Sequence, residues 1–123
     1  MLSDPKIDRL ILQLTRATVE GDLTWEVKPA PRVLCTGTDD IVPIYYEGNY
    51  KGQTIGLFTR RYQTFSEEYE KFFWKEGIEL IFIDDQGRVI WQYSEQSSTL
   101  YNLFDVVRDA AANVDEILEG LLE

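Results

Sequence analysis

Histidine is absent from the 123-residue chain, and cysteine occurs once, at Cys35. The first absence removes Ser–His, Cys–His and every other imidazole-based acid–base system. It also removes the commonest zinc and copper ligand, which one thiol cannot replace. The second excludes an intrachain disulfide and suits a reducing compartment, so a cytoplasmic setting is expected. Positive charge is scarce as well: 12 Lys and Arg face 22 Asp and Glu, a formal net charge of −10. Such a chain repels phosphate backbones and anionic headgroups, which excludes nucleic acid and membrane as expected partners. No apolar run approaches the roughly 20 residues of a membrane span. Asp4, Lys6, Asp8 and Arg9 break the region where a secretory signal would need its apolar core.

Core material is plentiful. Hydrophobic residues make up 44% of the chain, with three Trp, seven Tyr and six Phe. That supports one folded domain over residues 1–123. Ser3 and Asp4 suit a helix cap, Pro5 suits the first turn, and Ile7, Leu10, Ile11, Leu14 and Ala17 recur at helical spacing. Gly21 suits the exit from that helix. Leu12 and Val19 lie off the stripe and are available to a second surface. Short strands are predicted over 23–27 and 33–36, then longer ones over 41–50 and 53–62 around a Lys51-Gly52 turn. Residues 63–76 read as a loop with one helical turn. A second hairpin pairs 78–83 with 88–93 across Asp84-Asp85-Gln86-Gly87, a type I turn with a bulge. That register places Ile81 and Ile83 on one face with Val89, Trp91 and Tyr93, and leaves both faces apolar. A long final helix, capped by Ser98 or Thr99, carries Leu100, Leu103, Phe104, Val107, Ala111, Val114, Leu118 and Leu121 in one stripe. The expected fold class is α+β: an N-terminal helix, an antiparallel meander of five to six strands, and a C-terminal helix packed on the sheet.

Catalytic signals are weak. The acid pairs Asp39/Asp40, Glu67/Glu68, Asp84/Asp85 and Asp115/Glu116 fall in turns or on helix faces, where carboxylates are solvated, and lack the spacing of a calcium loop. Cys35 follows Val33 and Leu34 and reads as a buried small hydrophobe. Gly48, Gly52 and Gly56 sit in a hairpin rather than between a strand and a helix, so they form no phosphate-binding loop. Arg60 and Arg61 point to opposite faces of a strand and read as salt-bridge partners of nearby acids, not as one clamp. No catalytic residue, cofactor or metal is therefore expected.

Two features stand out. Residues 99–123 hold six acids against Arg108 alone, and on a straight helix Asp105, Asp109 and Glu116 fall within about 40° of one another. Asp115, Glu116 and Glu119 would sit near its C-terminal end, where the dipole disfavours anions, which points to a basic partner rather than to stability. The second feature is the aromatic excess over the hairpins, Tyr45, Tyr46, Tyr50, Phe58, Tyr62, Tyr69, Phe72, Phe73, Trp74, Trp91 and Tyr93, with arginine nearby, a composition found at interface hot spots. The size, acidity and helix–meander–helix order resemble those of small bacterial partner proteins such as secretion chaperones and toxin-neutralising immunity proteins, in shape and charge. The leading expectation is a non-catalytic, acidic protein-interaction module contacting its partner through Asp105, Asp109, Glu116, Glu119, Tyr62 and Trp74. The alternatives are a small-molecule-binding module with an aromatic pocket between sheet and helices, and a carboxylate enzyme using a divalent metal. The off-stripe Leu12 and Val19 and the two-faced hairpin also suit a homodimer.

Overall fold

A computed structural model describes residues 4–123. Helix α1, Pro5–Val19, opens on Asp4, whose carboxylate accepts the Lys6 backbone N–H at 2.9 Å. Ser3, the other expected cap, lies outside the described residues. Ile11, Leu14 and Ala17 are buried as the stripe predicts, and Gly21 takes the left-handed conformation just past the helix. Five strands follow: β1 (Trp25–Val27), β2 (Tyr45–Tyr50), β3 (Gln53–Ser66), β4 (Lys71–Ile83) and β5 (Val89–Tyr93). They pair antiparallel in sequence order, so the fold is the α+β meander that the sequence leads one to expect. Two helices close the chain, α2 (Ser98–Ala112) and α3 (Val114–Leu122).

Alternation along the strands divides the core in two. On one face Tyr46, Ile55, Leu57, Ile78, Leu80 and Tyr93 pack beneath α1 and α2, against Ile11, Leu14, Leu100, Leu103 and Val107. Burying each such aliphatic side chain stabilises the fold by roughly 1.5–3 kcal/mol. Trp25 fastens α1 to β1 by donating its indole N–H to Thr18 Oγ1 at 3.0 Å. On the other face Tyr45, Phe58, Ile81 and Ile83 are covered by the connector between β1 and β2, through Ala30, Leu34, Cys35 and Val42. The adjacent Tyr45 and Tyr46 thus serve opposite cores.

Several expectations are corrected. Residues 33–36 form no strand: Arg32–Leu34 is a single 3-10 turn, held by Leu34 N–H to Pro31 O at 3.1 Å, which drops Leu34 under the sheet. Pro43 lacks the N–H a ladder requires, so β2 begins at Tyr45 and Ile41 keeps only an isolated bridge to Arg61. The turn at 84–87 forms as expected, with Gly87 left-handed and Gly87 N–H bonded to Asp84 O at 3.0 Å. Ile83 therefore pairs with Val89, but a bulge at Ile90 turns Trp91 and Tyr93 onto the opposite face, beside Phe82 and Leu80. The final helix is broken. Asn113 is left-handed at φ 54°, and α3 starts again from it in a new direction. Ser97, not Ser98 or Thr99, caps α2 by accepting Leu100 N–H at 3.2 Å.

The largest correction concerns 63–76. It is no loop: β3 and β4 continue as a paired hairpin to Ser66 and Lys71, and only Glu67–Glu70 make the turn. Beyond Gly77 the sheet narrows to these two strands. Gln96 marks the limit, its side-chain amide bonded to both Ile78 N and Ile78 O at 3.0 Å. No helix among the described residues is long and apolar enough to cross a membrane.

Candidate functional site

The narrow end of the sheet, an arm of paired residues from Arg61↔Glu76 to Ser66↔Lys71, carries the most exposed aromatic surface of the molecule. Its base is fixed by charge. The Arg60 guanidinium donates to Glu79 at 2.5 Å, to Leu34 O at 2.6 Å and to Asp40 at 3.1 Å, tying the connector to the sheet. Burial opposes the charge on Arg60, yet Glu79 and Asp40 outweigh it and hold the guanidinium above its ordinary pKa. Glu79 also accepts from the Gln92 amide. Arg61 points to the other face and meets Glu76 at 3.2 Å. Both arginines are thus salt-bridged, as the sequence suggests, and do not form one clamp.

Register assigns the arm's side chains. Phe65 and Phe72 are cross-strand neighbours with ring centroids 5.2 Å apart, and Trp74 pairs with Gln63 on the same, helix-side face. Phe65, Phe72 and Trp74 are 51%, 63% and 51% exposed. Ile41, Arg61, Trp74, Lys75 and Glu76 line a hollow of about 500 Å³ there. On the opposite face Tyr62 pairs with Lys75, and Phe73 packs edge-on against Tyr69 at 6.0 Å with Lys71 over its ring. Tyr62 and Trp74, grouped by the sequence, therefore lie on opposite faces of one arm. Phe72 belonged to the aromatic excess read from the sequence, whereas Phe65 and Ile41 were not singled out. The signal for Phe65 was available in the alternation of β3 continuing past Tyr62 to Ser66.

The acidic ridge is placed differently from expectation. Asp105 and Asp109 are exposed on α2, but Arg108 stands between them at 3.1 and 3.9 Å. Glu116 and Glu119 are exposed on α3, and the Asn113 break ends the shared wheel that aligned Glu116 with Asp105 and Asp109. Asp115 and Glu116 occupy the first turn of α3, where the dipole favours anions, so their dipole penalty disappears. The Asn113 amide reaches Glu116 directly. Val114, Leu118 and Leu121 do not continue the buried stripe. No residue of α3 is buried, and Ile117, Leu118, Leu121 and Leu122 are exposed.

Among the described residues no three Asp, Glu or Cys side chains gather as metal ligands. The space between sheet and helices is filled by side chains of zero exposure, Leu57, Leu80, Leu100 and Leu103 among them. Comparison with protein-family models, curated proteins and solved structures finds no match to this chain.

Proposed function

We propose that this chain is a non-catalytic protein-interaction module that binds a protein partner through the β3–β4 arm and the acidic surface of α2 and α3. One observation carries the reading: a two-stranded extension holds Phe65, Phe72 and Trp74 more than half exposed. Two strands alone are marginally stable in water, and exposed aromatic clusters of this kind are typical of contact surfaces. The contact set comprises Tyr62 and Trp74 on the two arm faces, with Asp105, Asp109, Glu116 and Glu119 supplying the field that draws a basic partner. The lack of histidine leaves the chain without imidazole chemistry, which fits a binding role.

The test is affinity capture from source-cell lysate with elution by rising salt. Comparison is made with Tyr62→Ser and the double reversal Asp105→Lys/Asp109→Lys. The expected outcome is one enriched basic protein, weakened by Tyr62→Ser and eluted at lower salt from the reversed variant. Equal capture by all variants, or no specific protein at all, would sink the reading.

A further inference from the structure

Two bare surfaces of this chain complement each other. The first is α3, nine residues and about 13 Å long, too short to persist as a helix without packing. Val114, Ile117, Leu118, Leu121 and Leu122 take one side of its wheel, and Asp115, Glu116, Glu119 and Glu123 take the other. Leu121 and Leu122 are 77% and 85% exposed. The second surface is the helix-side face of the arm, six residue pairs long, or about 20 Å at strand rise. It offers Ile41, Phe65, Phe72 and Trp74, with Arg61 paired to Glu76 at its base.

The occupant is constrained by topology and charge. Helices α1 and α2 cover this same sheet face as far as Ile78, so a helix seated on the arm would continue their layer. The chain's own α3 points elsewhere. Helix α2 starts beside Ile78, where Gln96 is anchored, and crosses toward Tyr46, whose ring meets Phe104 at 5.8 Å, and toward β1. Its continuation therefore leaves from the far side of the sheet. Pairing of α3 with another α3 would oppose four carboxylates to four, with no cation on either helix.

We infer that the chain forms a reciprocal homodimer in which α3 of each copy lies, apolar side down, on the helix-side face of the other copy's β3–β4 arm. Exchange in both directions closes on a two-fold axis. The two contacts together bury on the order of 1,000 Å² or more, enough for a specific interface. The inference rests on the arm being an interaction surface and assigns its Trp74 face to a second copy. Tyr62, Asp105 and Asp109 stay open to a different protein.

Sedimentation velocity of the purified full chain, from micromolar to near-millimolar concentration, provides the test. Wild type is expected to dimerise, and apolar contact keeps the dimer intact as salt rises. Leu118→Asp/Leu121→Asp and, separately, Trp74→Ser should each weaken self-association by about 100-fold or more. An equimolar mixture of the two variants regains one intact α3-on-arm contact, so it should associate more tightly than either alone. A strictly monomeric wild type, a dimer surviving either change, or a mixture no tighter than its components overturns the inference. Circular dichroism checks folding, and Ile117→Ser with Phe72→Ser replaces any variant that unfolds. A monomer that still captures a protein from lysate removes the dimer alone; a dimer that captures nothing removes the proposed function alone.

Discussion

At the scale of single residues, the contacts under the arm are the least tolerant of change. Glu79 is buried and answers both Arg60 and Gln92. Glu79→Ala would leave a largely enclosed guanidinium with Asp40 and a backbone carbonyl alone. It should lower stability by about 2–4 kcal/mol in urea unfolding, somewhat less than for a fully dry pair because Arg60 keeps some water. Gly56 is held by a different constraint. A Cβ there would stand 2.7 Å from Tyr45 Oη and 2.8 Å from Ile81 Cγ1. Neither neighbour can easily yield, since Tyr45 is bonded to Glu47 at 3.0 Å and Ile81 has no exposure. Gly56→Ala should therefore cost about 1–3 kcal/mol through overpacking. Tyr45 supplies a pH effect of definite sign. Burial first, then Glu47, raises its hydroxyl well above the usual tyrosine value. A group whose folded pKa is raised contributes stability fully below the unfolded value, near pH 10, and loses it as pH climbs toward the folded one. Tyr45→Phe should accordingly flatten the loss of stability above about pH 10. A variant as alkali-sensitive as wild type would contradict this.

Among the elements, local chemistry was legible wherever a turn residue dictated it. Lys51 and Gly52 both have positive φ, as a two-residue type I′ hairpin requires, and Gly87 closes the other turn. What escaped was anything that changes direction without a signature residue. The bulge at Ile90 rotates two aromatics to the opposite face in a run, Val89-Ile90-Trp91, whose composition suits either side. The turn at 67–70 holds Glu70 at φ 51°, where Gly or Asn would have announced it. Asn113 did carry such a signal, since Asn tolerates the left-handed cap. The stripe continuing through Val114, Leu118 and Leu121 concealed it. The exposed site was half legible for the same reason: Trp74 and Phe72 stood out by type, while their partner Phe65 depended on a strand that no turn residue announced. The arm has one strand neighbour per strand, so its backbone hydrogen bonds are guarded by few buried contacts. Amides of 62–66 and 71–76 should exchange with deuterium faster than those of 54–58 and 78–83 in the chain's monomeric state. Uniform protection along β3 and β4 would show the arm to be as firmly held as the core.

For the molecule as a whole, charge is distributed unevenly. The arm is close to neutral, with Arg61, Lys71 and Lys75 against Glu67, Glu68, Glu70 and Glu76. The excess of acid therefore lies elsewhere, and half of the net −10 sits in residues 99–123. Exposed ion pairs such as Arg108–Asp105 and Arg61–Glu76 offset little of it, since surface pairs contribute about 0–1 kcal/mol. Long-range repulsion should outweigh them. Raising salt from about 10 mM to about 0.15 M shortens the screening length from about 30 to about 8 Å, which removes repulsion between distant carboxylates and leaves the core untouched. The melting temperature at pH 7 should therefore rise with sodium chloride. Asp109→Lys/Glu119→Lys, which lowers the charge on α2 and α3 without touching a buried residue, should raise it at low salt and reduce the salt dependence. A wild-type melting temperature that falls as salt increases would mean that local ion pairs, chiefly Arg60 with Glu79 and Asp40, outweigh the field of the whole chain. The acidic surface would then stabilise rather than strain the fold, and the argument that its charge is kept for a basic partner would lose its physical basis.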